Sequence, residues 1–222
     1  MPKFGAWHRF FRSLLYNIYT MGRAPRIDLG DHVYHVINRS NAAVKIFHDE
    51  ADYKGFEALL KGLRENFEMR ILAYVVMPNH WHLLLYPRKD GDLAKGLQWL
   101  GTTHVRRHHA RRDSVGKGHL YQDRYKSFVI EKDVHLLTVL KYIERNPVRA
   151  KLVQQPDQWR WGSAYRRSVD MQDLLLAESP VDLPRDYKAW IRDPELIEEL
   201  DDIRECVNKG RNYGDVLLPA SG

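Results

Sequence analysis

Two apolar runs joined by a tight link constrain this fold more than any other part of the chain. Met69 to Val76 (MRILAYVV) and His80 to Tyr86 (HWHLLLY) are rich in β-branched and aromatic residues, and Met77-Pro78-Asn79 between them has turn-forming composition. The pattern predicts an antiparallel hairpin. Upstream, His32 to Asn38 (HVYHVIN) alternates as a strand does, and a helix follows, opened by Asp49, with Tyr53, Phe56, Leu59, Leu60 and Leu63 at helical spacing. Downstream, Asp92 is placed to cap a helix through Leu93, Leu97, Trp99 and Leu100 toward His109. Gly116-Lys117-Gly118 reads as a loop, Ser127 to Ile130 as a short strand, and Asp133 as the cap of a helix that carries Tyr142 and ends at Pro147. The order β-α-β-β-α-β-α predicts an α+β fold: a ferredoxin-like antiparallel sheet with helices mainly on one face. Beyond Ala164 the chain turns acidic and is punctuated by Pro180, Pro184 and Pro194, which predicts a loosely packed helical C-terminal appendage.

Charge is distributed unevenly. The 222 residues carry a net +6, but residues 1–169 hold 29 Lys and Arg against 16 Asp and Glu, whereas residues 170–202 hold 3 against 11. The basic part favours a polyanionic partner. A single cysteine, Cys206, excludes an internal disulfide and any cysteine-rich zinc cluster, and suits a reducing cytoplasmic compartment. No apolar window reaches the roughly 18 residues of a membrane span. In residues 1–20, Phe4, Trp7, Phe10, Phe11, Leu14, Leu15 and Ile18 follow helical spacing with Lys3, Arg9 and Arg12 between them. This amphipathic extension reads as a packing helix in preference to a membrane-surface or nucleic-acid arm. The expected organisation is residues 1–20 as the extension, 21–166 as the main domain and 167–222 as the acidic appendage.

Two sets of residues carry chemistry. His80 and His82 stand at i and i+2 on a strand and so share a face, and Tyr142 and Asn146 stand at i and i+4 on a helix and so share a side. Two imidazoles and an amide oxygen could hold a divalent ion with open positions left for phosphate and water. A tyrosine hydroxyl one helical turn away would be a nucleophile. Each set also has a plainer reading: two half-buried strand histidines, a flanking tyrosine whose hydroxyl meets solvent or a carbonyl, and an asparagine capping a helix before proline. His135, seven residues before Tyr142, is a candidate general base. Residues 101–126 add seven Lys and Arg against two Asp, including Arg106, Arg107, Arg111, Arg112, Arg124 and Lys126. Such a run is either a solvated helix face or a phosphate-binding surface. Tyr121, Tyr125 and Trp99 are candidates for stacking on unpaired bases, with Trp99 better suited to the core.

In combination, these segments resemble a known family. Gly22-Arg23-Ala24-Pro25-Arg26, Tyr34-His35-Val36-Ile37-Asn38-Arg39-Ser40-Asn41 and Val75-Val76-Met77-Pro78-Asn79-His80-Trp81-His82-Leu83-Leu84 are followed in order by Gln122-Asp123-Arg124-Tyr125-Lys126. Tyr142-Ile143-Glu144-Arg145-Asn146-Pro147-Val148-Arg149-Ala150 and Trp159-Arg160-Trp161-Gly162-Ser163-Ala164-Tyr165 complete the set. From about Met21 to Arg166 the chain resembles the HUH single-tyrosine transposases, and within them the bacterial REP-associated tyrosine transposases. Family members usually have glycine where Ser40 stands, so the local turn is expected to differ there.

The resemblance implies the HUH endonuclease fold, His80, His82 and Asn146 as ligands of Mg2+ or Mn2+, and Tyr142 as nucleophile. It also implies single-stranded or hairpin DNA from repetitive extragenic palindromes as substrate, Arg23 and Arg26 near the recognition end, and a 5′-phosphotyrosine intermediate. A bacterial cytoplasmic, nucleoid-associated protein follows, with monomer and homodimer both compatible. A non-catalytic DNA-binding regulator on the same fold, or a phosphodiesterase using activated water, would be built from the same residues.

Overall fold

The computed structural model describes residues 28–116, 118–130, 134–169 and 174–209. The 1–20 extension, Arg23, Arg26 and the cap expected at Asp133 lie outside the described residues. Four strands, β1 (Val33–Arg39), β2 (Arg70–Met77), β3 (His80–Tyr86) and β4 (Lys126–Ile130), form one antiparallel sheet in the order β2-β3-β1-β4. Helices α1 (Glu50–Phe67) and α2 (Asp92–Arg111) connect β1 to β2 and β3 to β4, and α3 (Val134–Glu144) follows β4. The shorter α4 (Asn146–Arg149), α5 (Ser163–Ser168) and α6 (Tyr187–Arg192) and the longer α7 (Ile197–Lys209) complete the described chain. This is the ferredoxin-like plan, with β3 returning from the Pro78-Asn79 turn to fill the gap between β1 and β2.

Strand alternation divides the core. Along β3, Trp81, Leu83 and Leu85 enter the cluster beneath α1 and α2, where they meet Phe56, Leu59, Leu60 and Leu63 of α1 and Leu93, Leu97 and Leu100 of α2. Leu84 joins the opposite face, packed with Leu136, Val139, Leu140 and Ile143 of α3. The two longest helices thus share one face and α3 covers the other. In β2 the alternation skips between Ile71 and Ala73, a bulge that puts Leu72 and Ala73 together on the α3 face. Burying Trp81 or Phe56, both 1% exposed or less, contributes about 2–3 kcal/mol each by area. Trp99 packs on Phe67 and lies over Gly62, the α1 position at which a Cβ would come within 2.7 Å of the indole, so it belongs to the α1–α2 contact.

Helix ends show where local sequence rules hold. Asp49 accepts from the amides of Ala51 and Asp52 and caps α1 as its position predicts. Asp92, by contrast, is not a cap: Asp28, 65 residues before Leu93, accepts from the amides of Leu93 (3.1 Å) and Ala94 (2.9 Å). Ser40 adopts ordinary extended geometry (φ −61°, ψ 151°), so glycine is not required there, and its hydroxyl donates to the Val44 carbonyl at 2.6 Å. The turn's left-handed residues are Ala42 and Ala43 instead.

The segments after α4 cover exposed edges. The Val76 amide donates to the Trp161 carbonyl (2.8 Å) and Ser163 Oγ bonds both the amide and the carbonyl of Tyr74, so residues 161–163 close the free edge of β2. The acidic segment is packed more firmly than its composition suggests. Ile191 and Ile203 are buried, the latter in the cluster around α3, and Leu175 is buried in the cluster on the other face. Among the described residues no helix is long and apolar enough to cross a membrane.

Candidate active site

The side of α3 off its apolar ridge faces the histidine strand. The ring of Tyr142 lies 6.0 Å from the ring of His82 and 6.0 Å from that of His35, both edge-on, and His80 and His82 are 5.2 Å apart. A cavity of about 400 Å³ opens here, lined by His80, His82, Tyr142 and Asn146 together with Arg39, Arg124 and Lys126. Within one chain, then, the helix tyrosine and asparagine meet the paired imidazoles. Helix α3 ends at Glu144, Arg145 breaks the backbone (φ −88°, ψ 0°), and Asn146 begins a new helical turn with Pro147 in its first turn. Proline there lacks only an amide that the turn would leave free. Asn146 therefore starts a turn, where a terminal cap was the simpler expectation, and its side-chain amide reaches the Tyr142 carbonyl at 3.4 Å.

Hydrogen bonds fix which imidazole nitrogens are available. Asn79 donates its side-chain N–H to the Ala43 carbonyl (3.0 Å), which turns its oxygen toward His80 Nδ1 at 2.6 Å. His80 Nδ1 must carry the proton, leaving Nε2 as its acceptor nitrogen. His82 Nδ1 lies 2.9 Å from His35 Nε2, which turns His82 Nε2 away from that contact. Burial, reinforced by Arg39 and partly opposed by a hydrogen bond with the Asn146 side chain, lowers the His80 pKa to about 4. His82 is held well below the usual imidazole range by burial, with further contributions from His80, His35 and Arg149. Both rings are neutral at pH 7, the state a metal requires. The donor set thus suits a divalent cation: two neutral imidazole nitrogens and an amide oxygen at one cavity. Among the described residues no cluster of three His, Cys, Asp or Glu offers an alternative site.

The basic candidates separate into three groups. Arg124 and Lys126 line the cavity with Tyr142, and Arg106 lines a second cavity with Trp81, Tyr121 and Tyr125 that shares Asn38, Gln122, Asp123 and Arg124 with the first. Arg107 is exposed on α2. Arg111 and Arg112 are ion-paired to Asp49 and Asp52 and tie the end of α2 to the start of α1. Tyr121 accepts from Trp81 Nε1 (2.8 Å) and its hydroxyl meets His104 Nδ1 (2.6 Å), which makes its phenol part of the core network. His135 is not among the residues lining the tyrosine cavity.

Sequence reasoning missed His35, Arg39 and Arg149. The Arg149 guanidinium sits 4.1 Å from the centre of the Tyr142 ring and also bonds the Tyr142 carbonyl. A signal existed, since Tyr142, Asn146 and Arg149 follow i, i+4, i+7 spacing.

Residues 29–146 match the family model described as "Transposase IS200 like", more than half of the chain, and the protein belongs to that family. It is accordingly a transposase, an enzyme that acts on DNA. A protein of Haemophilus influenzae, provisionally named a REP-associated tyrosine transposase, is 26% identical over 119 residues, covering 50% of this chain and 68% of that one. Among solved structures, a REP-associated tyrosine transposase bound to a REP hairpin superposes with TM-score 0.56 at 16% identity, covering 80% of this chain and 99% of the other. The likeness to that structure establishes the shared fold.

Proposed function

We propose that the protein is a metal-dependent single-stranded DNA endonuclease and strand transferase that acts on hairpin-containing, REP-like DNA through a 5′-phosphotyrosine intermediate. In this reading residues 21–166 form the catalytic unit, 167–222 its acidic appendage, and the enzyme works on DNA in the bacterial cytoplasm. One observation carries it: the Tyr142 ring stands 6.0 Å from the His82 ring, beside an open cavity also lined by His80, Asn146, Arg124 and Lys126. The hairpin-bound structural neighbour supports the substrate class.

The Tyr142 hydroxyl attacks phosphorus and loses its proton, the bond to the 3′-oxygen breaks, and a free 3′-hydroxyl strand leaves while the 5′ end stays esterified to the tyrosine. Because that ester conserves the free energy of the broken phosphodiester bond, a 3′-hydroxyl can attack it, displace the Tyr142 oxygen and rejoin strands without ATP. His80, His82 and Asn146 would hold the divalent ion, whose charge on a non-bridging oxygen eases attack when bound. Asn79 and His35 hold the two imidazoles through their Nδ1 atoms, and the Asn146 side chain lies within hydrogen-bond reach of His80. Arg124 and Lys126 would bind the flanking phosphates. The closeness of nucleophile and ligands within one chain supports cleavage in cis, with monomer and homodimer both compatible.

The test is a labelled hairpin oligonucleotide with single-stranded flanks, incubated with the protein and Mn2+ or Mg2+. A denaturant-resistant protein–DNA adduct that disappears in Tyr142→Phe is expected. Cleaved DNA without adduct would indicate water as nucleophile, and binding without cleavage would indicate a regulator; either result overturns the proposal.

A further inference from the structure

The acidic appendage sends one carboxylate to the end of the active-site helix. The side chain of Glu195, between α6 and α7, is 4% exposed and pairs with Arg145 Nε at 2.6 Å and with Arg149 Nη1. These two arginines flank Asn146 in sequence, one at the break that ends the Tyr142 helix and the other at the end of the next turn. Arg145 also donates to the carbonyls of Ile191 (2.8 Å) and Arg192 (2.7 Å), so the break is tied to α6 as well. Arg149 in turn covers the Tyr142 ring and bonds its carbonyl.

Arg145 departs from helical geometry (φ −88°, ψ 0°) one residue before Asn146, so helix geometry alone does not fix the turn of Asn146 relative to that of Tyr142. A single carboxylate holding the guanidiniums on both sides opposes rotation between the two turns. We infer that Glu195 is a positioning residue for the transposase site: by bridging Arg145 and Arg149 it fixes the offset between Tyr142 and Asn146. The acidic segment, which sequence composition presents as an appendage, thereby contributes to the reaction without touching DNA. The inference rests on the reading of Tyr142 as nucleophile and Asn146 as ligand given above. Its energetic logic is that of near-attack geometry, in which a displacement of about 1 Å costs up to about a hundredfold in rate. Breaking only one side of the buried pair also leaves charge uncompensated, so rate and stability have to be read separately.

The experiment uses the full chain and a labelled hairpin oligonucleotide with single-stranded flanks, and follows first-turnover adduct formation across a Mn2+ titration, alongside DNA affinity and thermal melting. Glu195→Gln keeps the shape and removes the charge, Glu195→Asp keeps the charge and withdraws it by one methylene, and Glu50→Gln removes the exposed pair of Glu50 with Lys54 as a control. The expected result for Glu195→Gln is a fall of about tenfold or more in adduct formation and a raised Mn2+ requirement, at wild-type DNA affinity. Glu195→Asp should recover part of both effects, and the control should match wild type. If Glu195→Gln does not fold, Glu195→Asp is read against the same criteria. Wild-type rate and metal requirement in the folded Glu195 variants overturn the inference. So does a loss that tracks DNA affinity and melting alone, which would mark a purely structural pair. Absence of an adduct from wild-type protein, or its persistence in Tyr142→Phe, overturns the underlying reading and the inference with it, whereas an unaffected Glu195 variant leaves the Tyr142 reading standing.

Discussion

His35 Nε2 lies 2.9 Å from His82 Nδ1, with the two rings stacked 5.2 Å apart inside the sheet. Burial lowers the His35 pKa to about 3, so it meets His82 as a neutral partner able to accept its Nδ1 proton. Such a partner sets both the tautomer and the rotation of a metal-binding imidazole. His35→Phe should therefore raise the Mn2+ or Mg2+ concentration for half-maximal adduct formation by about 10- to 100-fold while DNA affinity is retained. A metal titration checks this, and an unchanged midpoint would count against the pairing.

The arginines of α2 and those of the cavity should behave oppositely. Arg124→Ala and Lys126→Ala are each expected to weaken DNA binding and to reduce the salt dependence of log K by about one unit per phosphate contact. Arg111→Ala should leave that slope in place and lower folding stability by about 1 kcal/mol, because its partners Asp49 and Asp52 belong to the start of α1. Binding isotherms at three salt concentrations, with urea unfolding beside them, separate the two behaviours.

At Gly62 a methyl group would meet the Trp99 ring 2.7 Å away. Gly62→Ala gains up to about 1 kcal/mol of helix propensity, yet the indole must shift within the α1–α2 contact, at a cost of about 1–3 kcal/mol. The net expectation is a lower urea midpoint. A raised midpoint would mean that Trp99 moves freely.

Acid should loosen the core at His104. This ring stacks on Phe47 at 5.1 Å and meets the Tyr121 hydroxyl, and burial lowers its pKa to about 3 from the ordinary 6.5. Between those values the unfolded chain binds a proton that the folded chain refuses, so stability is complete above about pH 6.5 and declines as pH falls toward about 3. Urea midpoints measured from pH 7.5 to 4.5 should fall, and His104→Gln should fall less steeply. Identical slopes would exclude His104 as a contributor.

Legibility in the sequence followed the range of the interactions. Period-two alternation sufficed to put His80 and His82 on one face and Trp81 on the other, and helical periodicity sufficed to lift Tyr142 off the ridge of Leu136, Leu140 and Ile143. Both signals are local. The partners that complete the site are not: His35 reaches His82 only through β1–β3 pairing, in which Ile37 lies opposite His82. The Asp28 cap on α2, the pairing of Arg111 and Arg112 with Asp49 and Asp52, and the Glu195 bridge each join residues dozens of positions apart. No window of sequence contains both halves of these contacts. Charge alone had grouped Arg111 and Arg112 with Arg124, and only tertiary packing separates a helix-to-helix tie from a cavity wall.

Strand β3 is hydrogen-bonded on both sides, to β2 and to β1. Sliding it by one residue would exchange the imidazoles for the indole of Trp81, exposing an apolar ring where ligands are needed and burying two polar rings beneath α1 and α2. Mutational drift in the surrounding loops can thus reshape what DNA is admitted while the paired imidazoles keep their register, locked by strand neighbours on both sides.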